Sequence, residues 1–84
     1  MIHVEMRMPD ETTAFFLLEE HAKVQKVLLQ LAAFLHLQQE CLILTDDLNG
    51  ETIDENKTLF QQGICSGYRL HLRVEEKKEV KEWI

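Results

Sequence analysis

Residues 63–74 read Gly-Ile-Cys-Ser-Gly-Tyr-Arg-Leu-His-Leu-Arg-Val. Past Gly67 the run alternates. Tyr68, Leu70, Leu72 and Val74 fall on one side; Arg69, His71 and Arg73 fall on the other. A period of two is that of a strand with one buried face. Gly63 and Gly67 stand where the chain must turn into that strand, and glycine takes the positive φ that such turns demand. The start of the chain repeats the pattern. Over residues 2–8, Ile2, Val4, Met6 and Met8 face inward, while His3, Glu5 and Arg7 face outward.

Between these two strands the period changes twice. Pro9, Asp10 and Glu11 read as a turn. Residues 12–18 are rich in β-branched and aromatic side chains, which predicts a second strand and an antiparallel hairpin. Over residues 23–37, Val24, Val27, Leu28, Leu31, Ala32 and Leu35 recur at helical spacing, with Lys26, Gln30 and Ala33 on the other side. That is an amphipathic helix with one core face, uninterrupted by Gly or Pro. Its start has no strong Ser, Thr or Asp cap. Residues 41–45 form a short apolar run, expected as a third strand. Asp46-Asp47-Leu48-Asn49-Gly50 is a turn cluster ending in Asn-Gly, a strong hairpin signal. Residues 51–53 would be a brief further strand. Residues 54–63 read as an irregular connection holding one helical turn, anchored by Leu59. The order strand, strand, helix, strand, short strand, turn, strand is an α+β arrangement with one helix across one face of a mixed sheet.

The chain has 84 residues, enough for one domain. Such a domain buries roughly 60–65% of the surface its unfolded chain exposes, so its apolar residues are needed for one core. With 45% hydrophobic residues, chain entropy is offset and disorder is not expected. The net charge of −6 argues against a phosphate-backbone binder and against an anionic membrane surface. No apolar run reaches the length of a membrane helix. Cys41 and Cys65 lack CxxC spacing and lie in or beside apolar runs, so both are expected as reduced thiols in or near the core. A cytoplasmic location is the matching expectation.

Read together, Asn49-Gly50-Glu51-Thr52-Ile53, Lys57-Thr58-Leu59, Gly63-Ile64 and Gly67-Tyr68-Arg69-Leu70-His71-Leu72 resemble the ubiquitin superfamily. The resemblance implies a ubiquitin-like β-grasp over residues 1–74: a mixed four- to five-stranded sheet packed on one helix. The first and last strands would pair in parallel at its centre, and Leu59 and Ile64 would plug the open end of the core. Within the superfamily, the size and the stretch from Gly63 to Leu70 look most like the YukD/EsaB-like proteins found alongside bacterial type VII (WXG100) secretion systems. That likeness implies a cytoplasmic accessory role exercised through protein contacts. Conjugated modifiers and sulfur carriers end in Gly-Gly, whereas this sequence ends Lys81-Glu82-Trp83-Ile84, so the modifier role is not expected. The rival expectation is an adaptor or small subunit of another multiprotein assembly.

Catalysis is not expected, and neither is a cofactor. His3, His21, His36 and His71 lack the i, i+4 spacing that seats two ligands on one helical turn, so no metal site is expected. His3 and His71 would both face outward on the central strands. Ser66 and the two cysteines have no base motif beside them. Asp46 and Asp47 could pair as acid and base, but their composition reads as a solvated turn.

Two surfaces stand out instead. The outer sheet face should gather His3, Glu5, Arg7, Arg69, His71 and Arg73 into a locally basic strip, with Leu42 or Leu44 at its flank. Arg7, Arg69, His71 and Arg73 are its candidate partner-binding residues, because arginine can engage carboxylates in bidentate fashion. The charged tail, residues 75–84, carries Val80, Trp83 and Ile84 at i, i+3 and i+4. Trp83 is the candidate anchor there, whether for a partner protein, for a homodimer contact through a short helix, or for the domain's own surface.

Overall fold

A computed structural model describes residues 1–75. Strand β1 (Ile2–Arg7) pairs antiparallel with β2 (Thr13–Leu18). Helix α1 (Val24–Leu35) follows, then β3 (Leu42–Asp46) and β4 (Tyr68–Val74). The sheet order is β2-β1-β4-β3, with β1 and β4 parallel and β3 and β4 antiparallel. The two ends of the described chain thus supply the middle of the sheet, as expected.

The helix packs on one face. Val24, Val27, Leu28, Leu31 and Ala32 are buried against Ile2, Val4, Met6, Leu42, Leu44, Leu70 and Leu72. Leu59 and Ile64 close the same core from the connection that precedes β4. The helix has no side-chain cap, and the reason lies elsewhere in the chain. The Lys57 and Glu55 carbonyls accept from the Val24 and Gln25 N–H groups, each at 3.0 Å. A distant loop therefore satisfies donors that the helix start leaves open. At the other end His36 adopts the left-handed conformation (φ 59°) and the Leu37 N–H donates to the Ala32 carbonyl at 2.9 Å, so α1 stops two residues short of the predicted boundary.

Four further expectations are corrected. Residues 51–53 form no strand: only one bridge, Thr45 to Thr52, joins them to the sheet. Beyond Ile53, the Asp54 N–H donates to the Gln62 side chain and the Asp54 carboxylate accepts from Asn56, which turns the chain away. On β3 it is Ile43 that faces outward, and Leu42 and Leu44 are both buried. Val74 is exposed, because pairing of β1 with β4 ends at Arg7 and His71, leaving the last residues of β4 beyond the core. Cys65 is exposed and Cys41 half-buried; neither joins the core. Val80, Trp83 and Ile84, and every expectation placed on them, lie outside the described residues.

Candidate interaction surface

The face of the sheet opposite α1 is formed by alternate residues of all four strands. The registers set Glu5 beside Arg69 and Arg7 beside His71 across the central pair. Ile43 lies beside Arg73, and Thr45 beside His71, on the other flank. Period-two alternation puts all of these on one side.

Arg7, His71 and Arg73 converge. With Glu11, Asp47 and Thr45 they line a shallow polar depression of about 420 Å³. Arg69 lies outside it, on the far side of the turn, where its carbonyl accepts from the Asp47 N–H at 3.2 Å. His3 and His71 share the face but not a neighbourhood. Four residues of strand separate them, about 13 Å. Among the described residues there is no cluster of three or more His, Cys, Asp or Glu able to hold a metal ion.

The strip is not basic, contrary to the sequence expectation. Arg7 donates from Nε and Nη2 to Oδ1 of Asp47 (3.1 and 2.8 Å) and from Nη1 to Oε1 of Glu11 (2.8 Å). Hydrogen bonds to Asp47 first, and to Glu11 second, raise the affinity of its guanidinium for its proton. Arg69 stands 3.6 Å from Glu5, and Arg73 stands 3.8 Å from Glu75. Apart from Glu5, these carboxylates come from turns and from the end of β4, so a strand-by-strand reading does not show them. Arg7 is committed to two short bonds. Arg69 and Arg73 make long, exposed contacts of the kind that contribute little, and their guanidinium groups stay available to a partner.

Asp46 also departs from expectation. It is buried and structural. The Tyr68 hydroxyl donates to Oδ2, and the Leu48 and Asn49 N–H groups donate to Oδ1 at 2.8 and 3.3 Å. Asp47, by contrast, is held by Arg7.

The same face has an apolar half that the sequence reading did not single out. Phe15 and Leu17 of β2 project from it, 75% and 54% exposed. Their signal was present: Phe15 and Leu17 sit at alternate positions in a strand whose inward set is Ala14, Phe16 and Leu18.

No protein-family model matches the sequence, and no curated protein matches it significantly. Solved structures do. The N-terminal ubiquitin-like domain of the 4931431F19Rik protein superposes with a TM-score of 0.79 at 24% identity, covering 98% of this chain and 82% of that one. A computationally designed protein based on the template of human erythrocytic ubiquitin gives a TM-score of 0.77 at 27% identity, covering 96% of this chain and all of the other. The fold is therefore a ubiquitin-like β-grasp, a four-stranded mixed sheet on one helix. No helix among the described residues is long and apolar enough to cross a membrane.

Proposed function

We propose that this domain acts by binding other proteins, without catalysis, and that the depression between Arg7, His71 and Arg73 receives an acidic or polar segment of the partner. One observation carries the reading. The helix covers one face of the sheet only, and the uncovered face brings Arg7, His71 and Arg73 from two strands to one concavity. Arg7, fixed by Asp47 and Glu11, forms its rigid wall. Arg73, half exposed and only loosely paired, is the group able to turn to an incoming carboxylate. Arg69 would extend the contact past the turn.

The finer assignment, a cytoplasmic accessory component of a type VII secretion system, draws its support from the resemblance of the stretch between Gly63 and Leu70 to YukD/EsaB-like proteins. The alternative within the same class is an adaptor or small subunit of another assembly. A crosslinking pull-down comparing wild type with Arg73→Glu and Arg69→Glu tests the surface, and Trp83→Ala tests the tail separately. Loss of the same crosslinked protein in both arginine variants is expected. Unchanged crosslinks in both would remove this face from consideration. Enrichment of a secretion ATPase or membrane component favours the secretion role; subunits of an unrelated complex favour the alternative.

A further inference from the structure

Strand β2 is the outermost strand on its side, and among the described residues its free edge pairs with nothing. The phase of the ladder identifies the free groups. The His3 carbonyl accepts from the Gly67 N–H at 2.8 Å, so odd residues of β1 direct their backbone toward β4. Even residues direct theirs toward β2, as the bond from the Met8 N–H to the Thr12 carbonyl (2.7 Å) shows. In the β1–β2 register, Ala14, Phe16 and Leu18 therefore use their backbone groups on β1, while Thr13, Phe15 and Leu17 aim theirs at the open edge.

That edge is apolar on both sides. Phe15 and Leu17 project from the outer face. On the helix side Phe16 meets Phe34 edge to face with ring centroids 6.2 Å apart, and Phe34 is itself 66% exposed. Thr13-Ala14-Phe15-Phe16-Leu17-Leu18 holds no charge in a chain of net charge −6. It also lacks the lysine, proline or bulge that blunts an edge strand.

We propose that this edge pairs antiparallel with the same edge of a second copy, about a twofold axis at Phe16. The partner is another copy because the strand is complementary to itself in that register. Phe15 falls opposite Leu17 of the second chain, and both have free ladder groups. Within β2, moving the axis to Phe15 would set Leu17 against Thr13, and moving it to Leu17 would carry Phe15 past the end of the second strand. Only the Phe16 register gives Phe15 and Leu17 each an apolar partner. One strand pair stays below about 1,200 Å², the size of transient association, so the dimer depends on concentration.

Sedimentation of the full chain up to about 1 mM, where a millimolar Kd is half-filled, reads this out. The mass should rise from one chain of 9.9 kDa toward two. Phe15→Lys, at an exposed position, should keep the circular dichroism spectrum and abolish the rise. Leu17→Pro, which removes an edge N–H that bonds nothing among the described residues, should do the same. Should either variant unfold, amide exchange of the wild-type chain at low and at high concentration reads the edge directly: the Thr13, Phe15 and Leu17 amides, open in the monomer, should gain protection as the chain is concentrated. A monomer throughout, a dimer that survives both edge variants, or no gain of protection at those amides would overturn the proposal.

Discussion

The hydroxyl of Tyr68 donates to the carboxylate of Asp46, tying the first residue of β4 to the last residue of β3. The same carboxylate holds the turn that follows through the Leu48 and Asn49 N–H groups. The Tyr68 bond, then the backbone bonds, hold Asp46 below the usual carboxylate range. In return Asp46 raises the Tyr68 phenol above its ordinary value.

Two limbs of pH dependence follow. The Asp46 value is lowered on folding, so its stabilisation is complete above the unfolded value of about 3.9 and is lost as pH falls through the folded value. The Tyr68 value is raised, so its stabilisation is complete below about 10 and is lost as pH rises through the folded value. Urea midpoints measured across pH should fall at both ends. Tyr68→Phe should lower the neutral-pH midpoint and shrink both limbs. Asp10, held low by Thr12, and Glu20, held low by the Met1 amine, keep part of the acid limb, and that amine, raised by Glu20, keeps part of the alkaline one. Wild-type slopes in Tyr68→Phe would contradict the coupling.

Leu59 is fully buried in the connection before β4. Leu59→Ala should cost roughly 2–5 kcal/mol in chemical denaturation, because a cavity remains where the plug was. Phe34→Ala provides the contrast. Phe34 is largely exposed and meets mainly the edge of Phe16, so the cost should stay below about 1.5 kcal/mol. Equal losses would mean the core is not sealed at Leu59.

Gly67 has φ +89°, and a Cβ built there meets no atom within 4 Å. Gly67→Ala should therefore destabilise through backbone strain alone, by roughly 1–2 kcal/mol. A loss far above that would point to crowding, and no loss would mean the turn relaxes freely.

Arg7 links the β1–β2 turn, through Glu11, to the turn after β3, through Asp47. Arg7→Gln should speed amide exchange at residues 47–50 while leaving the global urea midpoint nearly unchanged. High salt should narrow the difference from wild type. Unchanged exchange would show that Asp46 holds the turn unaided.

The helix and the two central strands were legible because each carries a regular period: α1 through Val24, Val27, Leu28 and Leu31, and β1 and β4 through strict alternation. The parity of β3 was not, because Cys41-Leu42-Ile43-Leu44 is apolar at every position and offers no alternation to read. Residues 51–53 carry strand-like side chains, but one Asx turn at Asp54 decides where the chain goes. On the candidate surface the arginines were placed on the correct face. Their neutralisation was invisible, since Glu11, Asp47 and Glu75 reach them from turns and a strand end. Asp46 read as turn composition; its burial depends on Tyr68, twenty-two positions away.

The parallel seam of β1 and β4 has a consequence for synthesis of the chain on the ribosome. The hairpin and α1 leave the exit tunnel first, yet the strand meant to lie beside β1 is still unmade. Until Leu70 and Leu72 emerge, the flank of β1 destined for them stays open to water and to neighbouring chains. Folding must then close a loop of about sixty residues in a single late step, which favours slow, all-or-none maturation over stepwise assembly.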